Sequence, residues 1–119
     1  MRDGPILLVS TEPLLQVLIA AWIQFQFPER VQFPSTDEKA IDAVRRVQPA
    51  IIVVDVEHPD GFSDAFLDAM RAQSLPVLAF GREQLDPDIG ARARRFSIEP
   101  VTLPTNLDEL HGRISQALG

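Results

Sequence analysis

Residues 48–61 read Gln-Pro-Ala-Ile-Ile-Val-Val-Asp-Val-Glu-His-Pro-Asp-Gly. The β-branched run in it, Ile51 to Val54, has no polar residue to turn toward solvent. It therefore predicts a strand covered on both faces, as in parallel sheets sandwiched between helices. The run closes on one carboxylate, Asp55, with Pro59 and Gly61 soon after. The carboxyl ends of such strands are where open α/β sheets place their ligands.

Short apolar runs alternate with helical patterns on both sides of this stretch. Upstream, Ile6 to Val9 predicts a first strand, and Pro13 suits the first turn of a helix. Leu14, Leu18, Ala21 and Phe25 recur at helical spacing and form its expected core row, ending at Pro28. Arg30 to Phe33 predicts a second strand, closed by Pro34. Ser35-Thr36-Asp37-Glu38 has the form of a capping box, with Ser35 as N-cap and Glu38 reaching back. Ala40, Ala43, Val44 and Val47 would be the buried stripe of that second helix.

Downstream of the Ala50–Asp55 strand, Ser63 can cap a helix burying Phe66, Ala69 and Met70. Pro76 to Phe80 predicts strand four, and a fourth helix falls between Glu83 and Phe96. Val101 to Leu103 predicts strand five. Thr105 or Asn106 then caps a last helix with Leu107, Leu110, Ile114, Ala117 and Leu118 on one face. The alternation predicts one α/β domain over residues 1–119, a flavodoxin-like doubly wound fold. Its five parallel strands would run in the order 2-1-3-4-5, with helices on both faces.

Composition narrows the function classes. A chain of 119 residues can bury roughly two-thirds of its unfolded surface in a single domain. With no cysteine, disulfides, thiolate catalysis and Cys-based zinc sites are excluded. The formal charge of −6 gives no basic face for phosphate neutralisation, so nucleic acid is not an expected partner. Pro13 to Pro28 is uncharged, but with sixteen residues and three glutamines it falls short of a membrane span of about 20 apolar residues. Met1 to Pro5 lacks the pattern of a signal peptide, so a cytoplasmic protein is expected.

Pro49-Ala50-Ile51-Ile52-Val53-Val54-Asp55, followed by Pro59, resembles the phospho-acceptor strand of response-regulator receiver domains. The order and spacing of the remaining elements are similar to that family over nearly the whole chain. The resemblance implies a module of two-component or phosphorelay signalling, with Asp55 as candidate phospho-acceptor. In receivers the first strand typically continues as Val-Asp-Asp-Glu-Pro, and here it reads Val9-Ser10-Thr11-Glu12-Pro13. Ser10 and Thr11 thus stand where the resemblance implies an acidic pair. That pair matters because phosphoryl transfer to a carboxylate brings like charges together, and a divalent cation held by acidic oxygens offsets them. Two hydroxyls cannot hold magnesium with useful strength, and the helix start at Pro13 is expected to point Glu12 outward.

Other positions depart in the same direction. Where receivers carry a Ser or Thr after strand four, this chain has Gly81. Where they end strand five in Lys-Pro, it has Leu103-Pro104, and the aromatic position upstream is Pro100. Of the functional positions the resemblance implies, Asp55 alone is kept, together with the shaping prolines Pro59 and Pro104. The resemblance is therefore to a degenerate receiver, a pseudoreceiver, acting by protein contact without catalysis and without a cofactor. Its partner would be a histidine kinase, another regulator, an output domain or a second copy. Two rivals remain open: a functional receiver phosphorylated on Asp55 with Glu12 recruited for the metal, and a flavodoxin-like binder of a small ligand or cofactor. Ser10 to Pro13 contains no glycine for a phosphate loop, which weighs against the second.

Several residues have ordinary readings beside functional ones. Asp55 is either an acceptor or a polar strand end satisfied by backbone N–H groups and water. If the strand continues past it, Asp55 and Glu57 face one way and His58 the other, which argues for a solvated loop over a metal cluster. His111 is expected on the surface. Arg92, Arg94 and Arg95 fit the carboxyl end of a helix dipole. The first helix is apolar around more of its circumference than one core contact requires. Leu15, Ile19 and Ile23 form a second row, expected to be an interface.

Overall fold

Ile51–Asp55 is β3, the central strand of a five-stranded sheet. The computed structural model describes residues 4–26, 31–82, 84–102 and 107–118. Its elements are β1 (Ile6–Val9), α1 (Pro13–Gln26), β2 (Val31–Gln32), α2 (Ala40–Val47), β3, α3 (Asp64–Ala72), β4 (Val77–Gly81), α4 (Pro87–Arg95), β5 (Val101–Thr102) and α5 (Leu107–Leu118). The strands lie in the order β2-β1-β3-β4-β5 and every neighbouring pair is parallel. Arg30 and Leu103 of the expected strands, and the cap candidates Thr105 and Asn106, lie outside the described residues.

β1 and β3 are buried along their whole length, and alternate side chains divide between two cores. Leu7, Val9, Ile52 and Val54 pack with Ala43 of α2, Phe66 and Met70 of α3 and Ala93 of α4. Ile6, Leu8, Ile51 and Val53 pack with Ile19 and Ile23 of α1 and Leu110 and Ile114 of α5. Ser63 caps α3 as its sequence predicts, accepting from the Phe66 N–H at 3.2 Å. Pro87 is the first residue of α4, with Asp86 accepting from the Asp88 N–H at 2.9 Å.

Helix α2 starts at Ala40, not at Thr36 where the capping box places it. Glu38 does reach back to the Ser35 N–H, at 2.8 Å, but the two close a turn ahead of the helix. Asp37 in that turn has φ 65°, outside the range of a helix interior. The free N–H of Ala40 is met by Asp60 Oδ1 at 2.9 Å, from the loop after β3. Glu38 is gripped by Arg46, whose guanidinium, aided by the Ser35 N–H, lowers its pKa to about 2.

The orientation of α1 overturns the expected interface. Ile19 and Ile23 are 2% and 0% exposed, so they are core residues. The side chain of Leu15 lies outside the described residues. Leu14, Val17, Leu18 and Phe25 are instead 71%, 63%, 61% and 87% exposed, so the expected core row faces solvent. Both rows are apolar and no charge marks an outer face, so the helix carries no phase of its own. The sheet sets it, because Ile19 and Ile23 fill the space over Ile6, Leu8, Ile51 and Val53. At the edge of this contact Trp22 meets His111 of α5 edge-on, ring centroids 6.1 Å apart, and His111 is half-buried where a surface position is expected.

Candidate functional site

β3 carries Asp55 to the carboxyl edge of the sheet, where Val9 of β1 pairs with Val54 and Phe80 of β4 pairs with Asp55. Ser10 and Gly81 therefore follow on either side of it. Asp55 is 5% exposed, the one buried charged side chain among the described residues. A carboxylate that far from water needs partners. Both oxygens have one: the Thr11 hydroxyl donates to Oδ2 at 2.9 Å, and the Glu57 N–H donates to Oδ1 at 2.9 Å.

The strand does not run on past Asp55. The chain turns at Val56 and Glu57, and the His58 N–H donates to the Asp55 carbonyl at 3.0 Å. Side-chain alternation stops there, so Asp55 and Glu57 do not share a face. Val56 is buried while Glu57 is exposed, loosely facing Arg82 at 3.9 Å. His58 braces the loop: its Nδ1 accepts from the Gly61 N–H at 2.8 Å. Gly61 permits this because a Cβ there would lie 2.9 Å from Val9 Cγ1 and 3.0 Å from both His58 Nδ1 and Val54 Cγ2. Pro59 is exposed. Leu103 and Pro104 lie outside the described residues.

These residues do not fit a magnesium site. Magnesium requires a near-octahedral set of oxygens with one or two carboxylates among them. Thr11 is turned onto Asp55, and the Ser10 hydroxyl accepts from the Glu12 N–H at 3.3 Å at the start of α1. Glu12 is exposed, as the helix start predicts. Among the described residues, no group of three or more His, Cys, Asp or Glu side chains is placed to hold a metal ion.

Gly81 shows a further closure that its sequence position alone does not reveal. A Cβ at Gly81 would sit 2.7 Å from Val56 Cγ2 and 3.1 Å from Leu85 Cδ2. The space that a Ser or Thr would need is occupied by a β-branched side chain that is only 2% exposed. Gly81→Thr is therefore expected to lower stability by about 1–3 kcal/mol through overpacking, read as a lower denaturant midpoint. Unchanged stability would mean that Val56 can move aside.

The basic cluster of α4 has a structural task. Arg92 donates to Asp64 Oδ1 at 3.0 Å and to the Phe62 carbonyl at 3.1 Å. Arg95 also reaches Asp64, and Arg95 before Arg92 holds that carboxyl below its ordinary range. The two tie α4 to the loop that carries Asp60 and Gly61, while Arg94 is exposed.

Strand order, helix placement and an acid at the end of β3 together decide the fold. The fold is that of a receiver domain. The signal receiver domain of a Vibrio parahaemolyticus protein described as a Luxo repressor superposes with a TM-score of 0.72 at 22% identity, over 99% of this chain and 91% of that one. A response regulator receiver protein from Pseudomonas putida gives 0.72 at 10% identity, over 98% and 99%. The pseudo-receiver domain of the CikA protein gives 0.61 at 21% identity, over 98% of both chains. No family model and no curated protein matches the sequence, so the likeness is one of fold.

Proposed function

We propose that this protein is a receiver-like signalling module of two-component or phosphorelay type that works by protein contact and is not switched by magnesium-dependent phosphorylation. The observation that carries this reading is the engagement of Asp55 by its own chain. Phosphoryl transfer is catalysed by positioning and by charge placed around the transferred group. The Asp55 carboxylate is hydrogen-bonded by a neutral hydroxyl and a backbone N–H. Among the described residues no ion pair involves Asp55, so no cation there offsets an incoming phosphoryl group.

On this reading the module is non-enzymatic and cytoplasmic. Its partners are proteins: a histidine kinase, another regulator, an output domain or a second copy. The charge of −6 supports protein over nucleic acid as partner. Among the described residues, no helix is long and apolar enough to cross a membrane.

Thermal melting in magnesium tests the proposal. A ligand that binds only the native state stabilises it by about 2.7 kcal/mol at a hundredfold excess over its Kd. Millimolar magnesium is expected to leave the melting temperature unchanged. A magnesium-dependent rise that is lost in Asp55→Asn would overturn the proposal.

A further inference from the structure

The exposed row of α1 is a larger apolar feature than the core requires. Leu14, Val17, Leu18 and Phe25 are between 61% and 87% exposed, and Ala21 beside them is exposed too. Leu14, Leu18, Ala21 and Phe25 are spaced by four, three and four residues. That is the spacing of a coiled-coil seam, whose natural cover is another helix.

We infer that the cover is a second copy of this chain, seated on the same row about a two-fold axis. The inference rests on the proposal that the module acts by protein contact and names one such contact.

Charge does not oppose a second copy as occupant. No charged residue lies between Glu12 and Glu29, so neither the seam nor its flanks offers a charged partner anything to pair with. An identical helix meets no like charge there, despite a chain charge of −6. Val17 and Gln24 flank the seam where coiled coils usually carry the charges that dictate partner choice, so nothing on the helix opposes self-pairing.

Area agrees. Large apolar side chains present on the order of 150–200 Å² each when free, so the four leave roughly 400–500 Å² open on each copy. Two copies face to face remove on the order of 1,000 Å², the lower bound for a specific interface. An isologous two-fold contact is also the commonest way for one surface to satisfy itself.

Sedimentation velocity of the whole chain over roughly 1–300 µM, a range suited to an interface of this size, tests the inference. The wild type is expected to pass from monomer to dimer within it. Leu18→Glu is expected to remain monomeric throughout while melting like the wild type at low concentration, and Leu18→Met to dimerise. Phe25→Ser, at the most exposed position, provides a second disruption if Leu18→Glu proves unstable. A wild type that stays monomeric to the top of the range overturns the inference and leaves the row to a different protein. So does a dimer that survives both disruptions. The magnesium test is run on Leu18→Glu as well, so failure of self-pairing stays separate from failure of the signalling proposal.

Discussion

Ile23→Glu is expected to destabilise the protein severely, whereas Leu18→Glu, five residues earlier on the same helix, leaves it as stable as the wild type. Ile23 is fully buried, packed in the core that joins α1 and α5 to the sheet. A carboxylate placed there has no cation and no spare donor among the core residues, all of which are apolar. It must be buried charged or take up a proton, and either costs several kcal/mol on top of the lost packing. Domains of this size are stable by about 5–15 kcal/mol in total. Leu18 is 61% exposed, so a carboxylate there stays in water. Melting temperatures measured at micromolar concentration should differ by tens of degrees, given about 4–8 °C per kcal/mol for small domains. If both variants melt alike, α1 is rotated from the orientation described.

Phe62→Ala is expected to cost about 3–5 kcal/mol, the range for truncating a fully buried aromatic residue. Phe62 is among the largest fully buried side chains and belongs to the core shared by α2, α3 and α4. Its backbone is held as well, with the N–H donating to the His58 carbonyl at 3.3 Å and the carbonyl accepting from Arg92. The residue is thus the anchor of the loop that follows Asp55. Loss of the ring should lower the denaturant midpoint and speed hydrogen exchange at the Glu57 and Gly61 amides, which bond to Asp55 and His58. Pro59→Ala, at an exposed position of the same loop, should cost no more than about 1 kcal/mol, acting through the unfolded chain. A loop that exchanges no faster in Phe62→Ala would show that it is held by the hydrogen bonds of Arg92, Asp60 and His58 and not by the ring.

The sequence made much of the fold legible, and its failures have physical causes. Ile51 to Val54 is a strand because a β-branched run without polar alternation suits little else, and Asp55 ends it because a charge cannot continue inward. The start of α4 is less legible, since Pro87 and Gly90 both interrupt the pattern between Glu83 and Phe96, and Pro87 proves to be its first residue, where its fixed φ and missing N–H suit a first turn. The phase of α1 is poorly legible, since two apolar rows and no charge leave only three glutamines to mark an outer face. The start of α2 was hidden because its first N–H is capped by Asp60, twenty residues away. At the site, the departures at Ser10, Thr11 and Gly81 from the pattern that the resemblance implies can be read one by one. Their consequences cannot. The Thr11 bond spans 44 residues, and the filling of the Gly81 space by Val56 depends on strand register. In the folded chain Thr11 bonds Asp55, and Val56 fills the space beside Gly81.

The proposal that this engagement keeps Asp55 from accepting a phosphoryl group is tested most directly by amide NMR spectra recorded with magnesium and beryllofluoride, which together mimic a phosphoryl group on a carboxylate. Engagement of Asp55 by Thr11 and the Glu57 N–H predicts that the Thr11, Val56 and Glu57 signals stay where they are at saturating reagent. A second set of signals at those residues, present in the wild type and absent from Asp55→Asn, would contradict it and show Asp55 to be a working acceptor.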